Sequence, residues 1–327
     1  MLISDNFNLY QEYFSNNSMP IYILLKDHTT NRNIIWATDD YAKFGEQYAA
    51  EVEITPNAII RFHTNIVQPR VEKTNDNKSS RTRDKAEVFT PAWICNAQNN
   101  LIDEQWFGRS DVFNVADNQT WQSNEDKIEF TNLANRSWQD YVDARRLEIS
   151  CGEAPYLVSR YDTVTGGEIS LMQRIGLLDR KMRIVNENTA KKTDWLKWAQ
   201  RAFEAVYGYE YQGDSLFLAR ENLFYTFIDN YYYKFSEMPK NKELEKIANI
   251  ISWNVWQMDG LTYCVPYSDK KVQSEQQALF DCSLLDGTWG SSESYIIKAE
   301  TAGEYCKIRD WRSKKTQTFI SMLKGGK

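Results

Sequence analysis

The chain has 327 residues, 42% of them hydrophobic and 14% aromatic, which is enough apolar material for one large core or two modest ones. A formal net charge of -6 excludes a surface that is all nucleic-acid footprint, because DNA affinity is dominated by phosphate neutralisation. No apolar run nears the roughly 20 residues that span a bilayer, and Asp5, Asn6 and Asn8 rule out a signal peptide, so no membrane partner is expected and a cytoplasmic location follows by default.

Residues 1–69 read as a small accessory module, with Pro20 to Leu25 and Asn33 to Ala37 as two strands around a polar turn from Asp27 to Asn31. The module carries no acidic and Glu-x-Lys pattern of a restriction nuclease. Its His28 and His63, the only histidines, read as surface or half-buried residues rather than metal or nucleophile partners. Residues 70–86 form a basic linker in which Arg70, Lys73, Lys78, Arg81, Arg83 and Lys85 are crowded together. The plain reading is a solvated linker, and the alternative is a strap that contacts phosphate. Cys95, Cys151, Cys264, Cys282 and Cys306 include no C-x-x-C pair, so reduced thiols are expected in place of a zinc cage or a disulfide framework.

A helix begins at Phe89-Thr90-Pro91, with Thr90 as cap, Pro91 at the first position, and Trp93, Ile94, Leu101 and Ile102 following. Residues 100–140 carry Trp106, Trp121 and Trp138 among polar residues and read as an irregular insertion. Arg145 to Val158 is the centre of the chain. A short apolar run ends in Glu148, a turn of small residues is centred on Gly152, and Pro155 opens a helix. Gly152 allows close backbone approach to a ligand. The free N–H groups of such a helix end suit an anionic or polar group, while Glu148 suits an amine or hydroxyl. Ile175 to Lys181 and a helix from Asp194 to Val206 then delay the second strand, Val206 to Glu210, whose terminal carboxylate suits a pair of ribose hydroxyls. Asp214 caps the next helix, with Leu216, Ala219, Leu223 and Phe227 on one face and Tyr231, Tyr232 and Tyr233 at its end as core or rim. Pro239 opens a further helix that runs to Trp253 and leads into Asp259-Gly260-Leu261. Residues 268–300 read as an exposed excursion, and residues 307–319 as returning strands.

Glu87-Val88-Phe89-Thr90-Pro91, Glu148-Ile149-Ser150-Cys151-Gly152-Glu153-Ala154-Pro155-Tyr156 and Tyr207-Gly208-Tyr209-Glu210, in that order, resemble the N6-adenine DNA methyltransferases with the gamma motif order. These occur as type I modification subunits and in fused restriction-modification enzymes, and the similarity is closest to a group called restriction endonuclease subunit M. It runs from about Lys85 to about Leu261. The family's S-adenosylmethionine loop typically reads Asp-Pro-Ala-Cys-Gly-Thr-Gly-x-Phe; Cys151, Gly152 and Tyr156 match it, while Ile149 replaces a proline and Ala154 the second glycine. The resemblance implies an α/β, Rossmann-like methyltransferase domain over residues 87–327. It also implies a cofactor site formed by Phe89, Thr90 and Pro91, by Glu148, Ser150, Cys151, Gly152 and Tyr156, by Glu210 and Tyr211, and by Asp259 and Leu261.

The family's target motif, a polar residue followed by Pro-Pro and an aromatic, is absent: the seven prolines include no adjacent pair, and Val265-Pro266-Tyr267 is the nearest imitation. That motif holds the adenine N6 in line with the transferred methyl and stacks on the flipped base. No catalytic residue is therefore assigned. The expected function is the S-adenosylmethionine-binding part of a DNA adenine-N6 methyltransferase whose catalytic motif and target-recognition domain lie in a second chain or a missing segment, with DNA and a restriction subunit as partners. The alternative is a non-catalytic binding subunit that keeps the fold; RNA or protein methylation is disfavoured by the resemblance alone.

Overall fold

A computed structural model describes residues 19–60, 67–73, 90–131, 136–268 and 303–324. Among these residues no helix is long and apolar enough to cross a membrane. The architecture is mixed α/β. Its organising element is a three-stranded parallel sheet of β3 (Arg146–Glu148), β4 (Val206–Glu210) and β5 (Val255–Gln257), in that spatial order. Leu147 is registered with Tyr207, and Tyr209 with Trp256. Parallel neighbours need crossovers. Helices α5 (Leu177–Asn188) and α6 (Lys192–Glu204) link β3 to β4, and α7 (Gly213–Phe235) and α8 (Asn241–Asn254) link β4 to β5, so the expected lengthened crossover is present.

Helix α7 is the core of the molecule. Leu216, Ala219, Leu223 and Phe227 are buried as expected, but so are Phe217, Leu218, Phe224 and Ile228, because the helix is packed between the sheet, α5, α8 and the N-terminal segment. A helix enclosed on all sides is apolar all round. Tyr231 joins this core, whereas Tyr232 and Tyr233 remain exposed. The opposite sheet face is covered by the hairpin of β6 (Lys307–Asp310) and β7 (Lys315–Thr318) and by α9 (Phe319–Lys324), with Phe319 against Tyr209 and Trp256. The excursion expected at residues 268–300 lies, apart from Ser268, outside the described residues.

The first expected strand is a helix, α1 (Met19–Leu24). Ile21, Leu24 and Leu25 have the i, i+3, i+4 spacing of one helical face, and all three are buried, with the helix against α8. Asn33 to Ala37 makes isolated bridges, Lys26 with Asn33 and Ile35 with Glu53, instead of a ladder. Some of its backbone groups are met within the segment, Ile34 N–H by Leu25 O at 2.8 Å and Trp36 N–H by Val52 O at 3.1 Å, and others from the sheet domain: Gln257 donates to the Ile35 carbonyl and accepts its N–H, both at 2.9 Å, and Gly213 N–H donates to Trp36 O at 2.9 Å. Leu24, Ile34 and Trp36 belong to the same hydrophobic cluster as α7, so this segment shares the core of the sheet domain.

After the short α2 (Pro56–Ile60), residues 92–107 form one helix, α3 (Ala92–Phe107), and residues 114–123 form a hairpin of β1 (Asn114–Asp117) and β2 (Thr120–Ser123), followed by α4 (Trp138–Asp143), all more regular than the insertion expected from residue 100 to 140. Asn118 takes the left-handed conformation at the hairpin turn, one of the few positions an asparagine accepts readily. Of the basic linker, only Arg70 to Lys73 is described. The Lys73 side chain does not reach outward; it is largely buried, 3.0 Å from Asp214, which at this position corrects both the solvated-linker reading and the phosphate-strap alternative. Asp214 likewise does not cap α7: it accepts from Lys73 and from Tyr41 Oη at 2.7 Å, and Gln212 occupies the cap position. His28 is half-buried, stacked on Trp253 at 3.9 Å, and burial holds its pKa down at about 3. His63 and Cys282 lie outside the described residues, where Cys95, Cys151, Cys264 and Cys306 are free and no group of metal ligands occurs.

Candidate functional site

The carboxyl ends of β3 and β4 open into a cleft of about 690 Å³. Such ends gather loops that follow parallel strands, so ligands collect there. Each strand ends in a glutamate, and each carboxylate organises backbone. Glu148 accepts the N–H of Tyr156 at 3.2 Å and of Leu157 at 3.1 Å. Glu210 accepts the N–H of Gly152 at 2.8 Å, of Tyr211 at 2.9 Å and of Gln212 at 3.1 Å.

The turn between them is held in three left-handed steps, Ser150 at φ 47, Gly152 at φ 53 and Ala154 at φ 64. Cys151 N–H continues the sheet pairing to Tyr209 O at 2.8 Å, and Ala154 N–H closes the turn on Cys151 O at 2.7 Å. Cys151 is buried over Gly208, where a Cβ would stand 3.2 Å from its Sγ. The helix expected at Pro155 is absent. A single turn from Ala154 to Val158 takes its place, and α5 begins only at Leu177. A left-handed Ala154 interrupts helical geometry, and the N–H groups proposed as an anion site are occupied by Glu148.

The third wall is α3. Pro91, not Thr90, takes its cap position, and no side chain of its own caps it. The N–H of Ala92 is satisfied instead by Asp162 Oδ2 at 2.7 Å, an acid from the long β3–α5 connection that pins the helix beside the cleft.

Of the residues expected at the site, Thr90, Glu148, Ser150, Cys151, Gly152, Tyr156, Glu210 and Tyr211 line this cleft. Phe89 lies outside the described residues. Pro91, Asp259 and Leu261 do not line it. Asp259 spends Oδ1 on the N–H of Leu261 at 2.8 Å and of Thr262 at 3.3 Å, forming a tight turn that leaves Leu261 82% exposed. Burial first, and then the neighbouring Tyr267, whose ring lies 6.2 Å away, raise the Tyr211 phenol. Asn99, Gln98, Gln212 and Ser215 also line the cleft and were not expected. Asparagines 96, 99 and 100 on one helix were a signal, since asparagine is a poor helix interior residue and needs a reason to be there.

The electrostatics of the cleft are one-sided. Among the described lining residues, Glu148 and Glu210 are acidic and none is basic. Burial pushes the Glu148 carboxyl up to about 8 despite the two N–H groups it accepts, with the neighbouring Glu210 adding to the rise. Burial raises Glu210 as well. Such a cleft disfavours phosphate and favours hydroxyl, ammonium or sulfonium groups. No protein-family model, curated protein or solved structure matches this chain.

Proposed function

We propose that the chain is the S-adenosylmethionine-binding part of a DNA adenine-N6 methyltransferase of a restriction-modification system, built on the first βαβαβ half of a Rossmann-like fold and working in the cytoplasm. The observation that carries the reading is the pair of glutamates ending adjacent parallel strands around the Gly152 turn, in a cleft whose described walls hold no cation. Nucleotide cofactors with a pyrophosphate would find no compensating cation among the described walls, whereas an approaching cation favours the charged form of the two buried carboxyls. A nucleoside carrying a sulfonium and an ammonium draws those carboxyls into their charged form and pairs with them.

The residues present fit that group. Glu210 accepts from three N–H donors and keeps about one acceptor site, enough for one ribose hydroxyl, since a carboxylate has about four lone-pair sites. Glu148 faces the amine, and Tyr211 with Tyr267 offers an aromatic edge for the adenine. When bound, the cofactor supplies an electrophilic methyl group. The chain's own residues bind and orient it. The polar-Pro-Pro-aromatic motif that would hold a target N6 is not among the 327 residues, so methyl transfer needs a polypeptide that bears it.

Titration calorimetry with S-adenosylmethionine tests the reading. Heat of binding that Glu210→Ala diminishes supports it, and no heat at millimolar cofactor would refute it. With labelled cofactor and DNA, the chain alone is expected to transfer no methyl; turnover by the single chain would overturn the need for a partner.

A further inference from the structure

The three-stranded sheet has two edges, and the chain treats them differently. On one, β5 is wholly buried, and the Gln257 side chain ties it to Ile35 and Tyr211. The other edge is β3. Arg146 N–H donates to Ala205 O at 2.9 Å, so Arg146 and Glu148 turn their backbone groups towards β4. Alternate residues of a strand in a parallel ladder face opposite sides, which turns the N–H and C=O of Leu147 outward, and neither has a partner among the described residues. Leu147 is 46% exposed and Ile149 67%. Parallel sheets are ordinarily covered, and an open apolar edge is a template for another strand.

A groove beside that edge has room for a side chain of such a strand. It encloses about 150 Å³ between the sheet and the β6–β7 hairpin, with Leu147, Tyr207, Trp256, Ile308, Phe319 and Met322 as its apolar walls. Arg145, Arg146 and Arg309 line it too, against one described acid, Asp310. Asp310 lies 3.0 Å from Arg145, whereas Arg146 and Arg309 have no ion pair among the described residues. This positive charge narrows the occupant. A second copy paired through the same edge would bring its own Arg145 and Arg146 to the ladder, and like charges facing each other there are destabilising. A segment bearing carboxylates is attracted.

We propose that β3 is a docking edge: an extended segment of a second polypeptide, apolar at alternate positions and acidic at its ends, adds to the sheet beside Leu147, sets an apolar side chain in the groove and faces its carboxylates to Arg145 and Arg146. The added strand also walls the cleft, because Leu147 and Ile149 line it on that side. The edge goes beyond the cofactor reading: it gives a place to the partner that reading calls for, but docking there needs no cofactor.

Amide exchange in the full chain, followed by NMR without cofactor, tests this with a synthetic peptide, Asp-Val-Thr-Val-Thr-Val-Asp. Two controls carry lysine for both aspartates and proline for the central valine. In the free chain the Leu147 amide is expected to exchange fast, while the Arg146 amide, bonded to Ala205, exchanges slowly. The aspartate peptide should protect Leu147 and leave Arg146 as it was. The lysine peptide should bind about fivefold more weakly, the worth of about one exposed ion pair, and the proline peptide should give no protection. Leu147→Pro removes the outward N–H at an edge, where proline is tolerated, and should abolish peptide binding. Should that variant fail to fold, Arg146→Glu should reverse the preference between the aspartate and lysine peptides. No protection at millimolar peptide would overturn the proposal, as would equal binding of the aspartate and lysine peptides. A Leu147 amide already protected in the free chain would overturn it too: sedimentation as a dimer would hand the edge to a second copy, and as a monomer to the chain itself. Failure of S-adenosylmethionine to bind is a separate result, which removes the cofactor reading and leaves the docking edge standing.

Discussion

The N–H of Gly152 donates to Glu210 Oε2 at 2.8 Å, joining the turn after one strand to the end of its neighbour across 58 positions of sequence. With Cys151 N–H on Tyr209 O, this bond sets the shape of the cleft floor. Glu210→Ala leaves the N–H groups of Gly152, Tyr211 and Gln212 without their acceptor and is expected to lower stability by about 1–3 kcal/mol. Urea denaturation measures this. An unchanged midpoint would show that water replaces the carboxylate at no cost.

The two carboxyls raised to about 8, Glu148 and Glu221, give the fold a pH dependence. Burial is the leading cause for both. The folded chain binds more protons than the unfolded one between the ordinary value of 4.5 and about 8, so the stabilisation from these groups is complete at low pH and is lost as pH rises through that window. Each contributes a slope of up to about 1.4 kcal/mol per pH unit. Glu148→Gln and Glu221→Gln should each flatten the fall in urea midpoint between about pH 5 and about pH 8. Retention of the full slope in the double variant would place its origin elsewhere.

Ser150 is exposed and held at φ 47, a region that costs a side-chain-bearing residue about 1 kcal/mol. Ser150→Gly is expected to raise stability by about 0.5–1 kcal/mol, net of the extra freedom of the unfolded chain. A lower thermal midpoint would mean that the hydroxyl makes a contact worth more than the strain.

Arg220 is wholly buried on α7 and donates to the carbonyls of Val255, Ser252, Leu24 and Lys26. Burial lowers its pKa to about 10, so it remains charged at neutral pH and clamps the N-terminal segment to α8 and the sheet. Arg220→Met strands those carbonyls and should cost about 3 kcal/mol. Trypsin cleavage within residues 19–60, mapped by mass spectrometry, should then precede global unfolding. Cleavage no faster than in the wild type would show that the shared core alone holds the segment.

The parts legible in the sequence were those that local pattern decides. Short runs ending in Glu148 and Glu210 announced two strands with acidic ends; Val206 to Glu210 is largely buried as such a run requires, whereas Arg146 to Glu148 leaves Leu147 exposed and is held by its pairing with that neighbour. Helices α6, α7 and α8 followed from 3.6-residue spacing. Tertiary contact decided the rest. Pro155 lies in a context that favours a helix start, yet Glu148 captures the N–H groups of Tyr156 and Leu157 and holds the chain as a single turn. Asp214 looks like a cap until Tyr41 and Lys73, far away in sequence, claim its carboxylate. Asn99 gains its place at the cleft only because Tyr156 and Ile175 present carbonyls that orient its amide. Apolar periodicity is written along the chain, whereas the partner of a buried polar atom is set by which distant backbone group packing brings within about 3 Å.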